Sequence, residues 1–246
     1  MSWDFKMDIG ILIGVIGLLI ALFTYLFPFD RVSKMFEKKK LDQLAKEMKL
    51  RSNYRVAIID DEIDSFPIDF INKMGFDVKT FESISFADSI EIAKFDVVLL
   101  DVKGVVREDL EEGGAKFIKI LKEARSALPV VAVSSGKFQP GLNDYFKSSD
   151  AILNKPIEEF KIQELLNELK ADFFDFEKLS SQLKEQIRKL PVDNKLKSKL
   201  EVEVVKYLSS KLPKAETFQL VHQIATIDSE KIIRQIKIMK DRIEND

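Results

Sequence analysis

Ile58-Ile59-Asp60-Asp61, Val98-Leu99-Leu100-Asp101, Val133-Ser134-Ser135 and Asn154-Lys155-Pro156 are four short pieces between Tyr54 and Pro156. Each is an apolar run, or the end of one, that delivers a polar group. Strands buried on both faces of a parallel sheet read as such near-continuous apolar runs. In open α/β sheets the ligand crevice lies outside the carboxyl ends of the strands. The four pieces therefore predict that Asp60, Asp61, Asp101, Ser134 and Lys155 converge at one end of a sheet. Three carboxylates, a hydroxyl and an ammonium are the donor set of a hard divalent cation and a phosphoryl group.

The surrounding chain supplies the alternation such a sheet needs. Strands are expected at Arg55–Ile59, Asp77–Phe81, Asp96–Leu100, Val130–Val133 and Ala151–Leu153, with Asp77–Phe81 the most exposed. Helices are expected at Ser65–Met74, Phe86–Ala93, Gly114–Ser126 and Glu158–Leu169, with a loop and short helix near Leu142–Lys147. Strands and helices at this rhythm argue for a parallel sheet covered on both faces.

Composition narrows the chemistry. The chain has 246 residues, a formal net charge of −2, no cysteine and one histidine. Thiol catalysis, disulfides and cysteine-based zinc sites are excluded. His222 lies among Leu220, Val221 and Ile224 in a helical pattern and reads as a packing residue. The near-neutral balance gives no general attraction to nucleic acid.

The segment from Arg55 to about Leu169 resembles a response-regulator receiver domain. The resemblance rests on an acidic pair after strand one (Asp60, Asp61), one aspartate after strand three (Asp101), a small hydroxyl residue after strand four (Ser134) and Lys155-Pro156 after strand five. It implies a flavodoxin-like, doubly wound, five-stranded parallel sheet. It also implies that Asp101 is a phosphoacceptor and that Mg²⁺ is held by Asp61, Asp101 and the backbone carbonyl of Lys103, with Asp60 acting mainly through water. Lys155 would pair with the phosphoryl oxygens and Ser134 would hydrogen-bond one of them. The implied phosphodonor is a histidine kinase or a small phosphodonor. The chain departs from the family twice. Lys103-Gly104-Val105-Val106 replaces the usual Met-Pro turn, followed by an acidic insertion, Arg107-Glu108-Asp109-Leu110-Glu111-Glu112. Ile152 stands where the family usually has a switching Tyr or Phe. Haloacid-dehalogenase-type phosphatases share the nucleophile class, but their Asp-x-Asp spacing is broken at Asp60-Asp61-Glu62 and at Asp101-Val102-Lys103.

Ile9 to Phe29 is almost wholly apolar, and 21 residues at a rise of about 1.5 Å per residue span about 31 Å, the thickness of a bilayer core. The acidic flank and the bulky exit at Tyr25-Leu26-Phe27 argue against a cleaved signal peptide. Arg31, Lys34, Lys38, Lys39 and Lys40 follow the span, so a retained single-pass helix would leave the N-terminus outside and the rest cytoplasmic. Gly10, Gly14, Gly17 and Ala21 share one helical face, which suits a homodimer through close helix contact. Asp30–Leu50 reads as a charged helix: a coiled coil, an interfacial helix touching membrane lipid through its basic cluster, or a spacer.

Beyond Ala171 the sequence is helical. Phe173, Phe176, Leu183, Ile187 and Leu190 form one stripe, with Ser180 on the same seam. Lys195–Leu212, a region around Phe218–Ile227 and a last helix from Ser229 carry others. Apolar stripes need partners, which predicts a small bundle or dimerising array that contacts a protein partner. Lysines alternate with glutamates and no recognition helix stands out, so no nucleic acid is expected. The chain thus divides into an N-terminal tail and transmembrane helix (1–29), a basic juxtamembrane segment (30–53), a receiver domain (54–170) and a helical module (171–246). The expected role is phosphorylation-responsive signalling at the membrane through protein contacts, not enzymatic turnover. The alternative is a phosphorylation-independent pseudo-receiver acting as a membrane adaptor or assembly subunit.

Overall fold

A computed structural model of the chain describes residues 41–48, 53–135, 147–209, 214–225 and 228–245. The expected span at 9–29, the glycine stripe within it and the expected helix near 142–147 (apart from Lys147 itself, in a turn) lie outside the described residues. Among the described residues no helix is long and apolar enough to cross a membrane.

Five strands form the centre: β1 (Tyr54–Ile59), β2 (Phe76–Phe81), β3 (Val97–Asp101), β4 (Val130–Ser134) and β5 (Ala151–Asn154). All pairings are parallel, in the order β2-β1-β3-β4-β5. This is the flavodoxin-like order, whose crevice lies where β1 and β3 diverge to opposite sides. The central strands are aliphatic along their whole length because both faces are covered; every residue of β3 is buried. Edge strand β2 alternates with exposed Asp77, Lys79 and Thr80, since one of its faces meets solvent.

Residues alternate between two layers, as the strand period of two requires. Ala57, Ile59, Val98 and Leu100 pack under α3 (Ser89–Ile92) and α4 (Gly113–Ala124). Phe117, Ile118 and Leu121 of α4 are fully buried there. Val56, Ile58, Leu99 and Val131 face the other layer, with α2 (Ile68–Lys73) and α5 (Glu159–Leu169). Two expected helices are broken at their starts. Pro67 lacks an N–H and precedes α2, so Ile63–Ser65 forms a separate 3-10 turn. Ser85 and Asp88 form a reciprocal cap around a second 3-10 turn, Phe86–Asp88, before α3.

The helices after the sheet are α6 (Phe176–Lys189), α7 (Asn194–Ser209), α8 (Lys214–Ile224) and α9 (Ser229–Asn245). Phe173 does not share a helix with Phe176. A π turn at Lys170–Phe174 ends at Asp175, whose carboxylate accepts from the Lys178 N–H at 2.9 Å and caps α6. The residues expected as a juxtamembrane helix begin, within the described part, with α1 (Leu41–Glu47). It packs on α6 and α7 through buried Leu41, Leu44 and Ala45, and Asp42 pairs with Lys184. One buried cluster runs from Val56 and Leu99 through Ile162 and Phe174 to Leu183, Val204 and Ile236. The core has no gap at residue 170.

The last helix docks at the amino ends of the strands. Arg242 is 3 % exposed, lies over Phe174 (4.6 Å) and Tyr54 (5.6 Å), and meets buried Asp96 at 3.4 Å. Arg125 forks onto Asp241 at 2.8 and 2.7 Å, and Arg234 reaches Asp150 at 3.1 Å. This pole is opposite the carboxyl ends, where the polar residues of the four pieces emerge.

Candidate functional site

Register alone brings the acidic residues together. Ile59 pairs with Leu100, so Asp60 and Asp101 leave adjoining strands at the same level. Carboxylate oxygens of Asp60, Asp61 and Asp101 lie within 4.8 Å of one another. Lys155 arrives from the turn after β5, where its peptide bond to Pro156 is cis. Its Nζ donates to Asp60 at 2.9 Å, to Asp101 at 3.0 Å and to Glu62 at 3.1 Å. Ser134 closes β4 opposite Asn154, and its carbonyl accepts from the Lys155 N–H at 2.8 Å. Lys103 lies in the turn after β3; its N–H donates to Asp101 Oδ1 at 3.1 Å while its Nζ reaches Glu111 at 3.1 Å.

Burial and charge strain this cluster. Asp60 is fully buried, and burial first, then the neighbouring Asp101 charge, pushes its carboxyl above the ordinary carboxylate range despite bonds from Lys155 and the Glu62 N–H. Burial works against the charge on Lys155, but the bonds to Asp60 and Asp101 outweigh it and hold the ammonium above its usual value. Asp60 Oδ2 is buried with no hydrogen-bond partner among the described residues. An orphaned carboxylate oxygen in an all-oxygen cluster is the feature a hard cation would satisfy. The residues fit a divalent ion held by Asp60, Asp61 and Asp101.

Three contributors escaped the sequence reading. Glu62 donates its N–H to Asp60 Oδ1 at 2.8 Å and shares Lys155, though its side chain is exposed. Its position directly after the acidic pair was the available signal. Gly104 has φ +79°, and a Cβ there would come within 2.9 Å of Asp61 Oδ2, so the turn lies directly on that carboxylate. A Cβ on Gly114 would collide with the carbonyl of Asp101, so the start of α4 rests on the backbone that presents the aspartate. The acidic insertion is pinned as well. Val106 bridges Ile84 in parallel, Ile84 N–H donates to the Val105 carbonyl at 2.7 Å, and Glu108 accepts from Ser85. Position 152 on β5 is an isoleucine, 52 % exposed, and so offers no aromatic ring to swing toward the sheet.

No family model matches the chain, and no curated protein matches it. Solved structures that resemble it include a beryllofluoride-activated DrrB receiver domain, 20% identical with a TM-score of 0.39, covering 47% of this chain and 96% of that one. A CheY-like receiver domain protein from Methanospirillum hungatei is 20% identical with a TM-score of 0.39, over 48% of this chain and 98% of that one. NtrX from Brucella abortus in complex with ATP is 14% identical with a TM-score of 0.41, over 74% of this chain and 40% of that one. The strand order and the carboxylate placement, not these distant likenesses, carry the architecture. The described chain has a flavodoxin-like fold whose crevice gathers three carboxylates and a lysine, followed by an all-helical part.

Proposed function

We propose that the protein is a membrane-anchored signalling protein, phosphorylated on Asp101 with Mg²⁺ and acting through protein contacts. The observation that supports it most is Lys155 Nζ bridging Asp60 (2.9 Å) and Asp101 (3.0 Å) beside Asp61, where β1 and β3 end. Asp60, Asp61 and Asp101 would hold the cation, with the Lys103 carbonyl as a further oxygen. The ion would supply positive charge to offset crowding between carboxylate and phosphoryl oxygens.

The residues of the chain do the rest. A carboxylate oxygen of Asp101 attacks the phosphorus of a phosphohistidine or a small acyl phosphate in line with the leaving group. The P–O bond to Asp101 forms as the bond to the donor breaks, and the donor departs with its electron pair. Lys155 follows the transferred charge from carboxylate to phosphoryl oxygen. Ser134, at the end of the neighbouring strand, would hydrogen-bond that group. Histidine kinase or small phosphodonor as input, helical-module partner as output, and anchoring through 9–29 with pairing through Gly10, Gly14, Gly17 and Ala21 all belong to this proposal. So does the absence of turnover beyond the chain's own phosphorylation and dephosphorylation. Fluorine NMR of the full chain in detergent with Mg²⁺ and beryllofluoride tests the site. Bound-fluoride signals are expected in wild type and absent in Asp101→Ala; their absence in wild type leaves the phosphorylation-independent adaptor.

A further inference from the structure

We propose that α4 is a strut that couples the carboxylate pocket to the helical module, with the Arg125–Asp241 pair as its joint. The inference rests on the cation-and-phosphoryl reading of the pocket. At its start the helix touches the site itself: Gly114 lies so close to the carbonyl of Asp101 and the backbone of Val102 that no side-chain carbon fits between them. Any displacement of the turn after β3 must therefore move the first turn of α4 or part from it. Along its length, fully buried Phe117, Ile118 and Leu121 key the helix to the sheet, so it responds as a body.

The far end reaches around the sheet to the opposite layer. Arg125 follows the last residue of α4, and its side chain is only 11 % exposed. It forks onto Asp241 of α9 at 2.8 and 2.7 Å and also holds the carbonyls of Ala93 (3.0 Å) and Phe95 (2.7 Å). A planar bidentate pair fixes orientation as well as distance. Lys122, one turn earlier, binds the Leu128 carbonyl and half-buried Asp150, which also accepts from Arg234 of α9. Two joints thus tie the end of α4 to α9, which packs on α6, α7 and α8. This is a second packed path from pocket to module, beside the buried core that runs through Ile162 and Phe174.

The joint resists movement of α4, so a pocket ligand that displaces the turn works against it. Coupling is reciprocal in binding free energy: whatever pocket occupancy does to the joint, breaking the joint does in reverse to pocket affinity. The test is amide hydrogen exchange by mass spectrometry on the full chain in detergent, with Mg²⁺ alone and with Mg²⁺ plus beryllofluoride. Beryllofluoride is expected to protect peptides around 54–62 and 97–106 and to speed exchange in 229–245 by about fivefold, the low end of ordinary coupling. Asp241→Asn is expected to abolish that response in α9 and to tighten beryllofluoride binding by a similar factor. Asp241→Glu is expected to restore both, and the exposed Arg188→Gln to change neither. If Asp241→Asn loses its cooperative melt, Lys122→Met cuts the second joint and carries the same expectations. Protection at the pocket with unchanged exchange in α9 overturns the strut and leaves the pocket reading standing. No protection at the pocket removes the pocket reading and the strut with it.

Discussion

Replacing Lys155 by Met keeps much of the side chain's length and removes the cation that holds the pocket together. Its ammonium lies 2.9 Å from Asp60 and 3.0 Å from Asp101, with side-chain exposures of 12, 0 and 13 %. The third partner, Glu62, is 70 % exposed, and a pair of that kind is worth about 0–1 kcal/mol. Breaking a buried pair by removing one partner costs about 3–5 kcal/mol because the other charge is stranded. Asp60 can relieve part of that cost by taking up a proton, since its carboxyl already lies above the ordinary range. The expected loss is therefore about 3 kcal/mol in chelator at neutral pH, at the low end of that range. For a cooperative unit the size of Leu41–Asp246 this lowers Tm by about 6–12 °C, at about 2–4 °C per kcal/mol. Mg²⁺ should narrow it, because three carboxylates without a competing ammonium bind a cation more tightly. Saturating Mg²⁺ stabilises both proteins, so the deficit shrinks by about 1.4 kcal/mol for each tenfold by which the variant binds the ion more tightly. Urea melts by circular dichroism, with chelator and with saturating Mg²⁺, read both numbers. A deficit below about 1 kcal/mol in chelator, or one that Mg²⁺ leaves unchanged, would refute the electrostatic account of the pocket.

Other perturbations probe separate parts of the account. Burial raises the Asp60 carboxyl, so the folded state keeps that proton to higher pH than the unfolded chain. Stability in chelator should then fall as pH rises from the ordinary carboxylate value through the raised one, and Asp60→Asn should remove that part of the slope in melts across pH. Gly104→Ala places a Cβ 2.9 Å from Asp61 Oδ2 at φ +79°; Gly104→Asn adds the same Cβ with less backbone strain. Both should weaken Mg²⁺ binding in calorimetry by about tenfold or 1.4 kcal/mol, while only Ala costs about 1 kcal/mol more in metal-free stability. Equal Mg²⁺ affinity in all three proteins would remove Gly104 from the site. Arg242→Met empties a charge site between Tyr54, Phe174 and Asp96 and should cost about 3–5 kcal/mol. If sheet and bundle form one cooperative unit, the loss appears as a shift of a single transition. A bundle that melts alone while the sheet is untouched would contradict that.

The sheet was legible because its strands are buried on both faces: Val97–Asp101 and Val130–Ser134 are aliphatic without interruption, and the polar group ending each run marks the carboxyl edge. Register then placed Asp60 beside Asp101 with no further information. Helix starts were less legible, since they depend on single residues. Pro67 shortened one helix, and Asp175 ended the run from Phe173 by capping a new one. Periodicity shows that a helical face is apolar but not what covers it. The stripe of Leu41 and Leu44 fitted a coiled coil, an interfacial helix or a spacer, whereas its partners are α6 and α7, more than a hundred residues later. The amino-pole contacts were illegible for the same reason. Arg125–Asp241 and Arg242–Asp96 join residues 116 and 146 positions apart, and ordinary surface charges give no hint of such pairing. In the site, Gly104 and Gly114 matter through close approach of backbone to backbone or carboxylate, which no spacing rule exposes.

The central claim is that Asp101 accepts a phosphoryl group, and locating that group is the most direct test. The full chain is incubated with acetyl phosphate and Mg²⁺, quenched, digested and sequenced by mass spectrometry. The account predicts one phosphoryl group, on Asp101, lost in chelator and in Asp101→Asn, and reduced but not moved in Lys155→Met. An unmodified wild-type protein, or a phosphoryl group on any other residue, would contradict it.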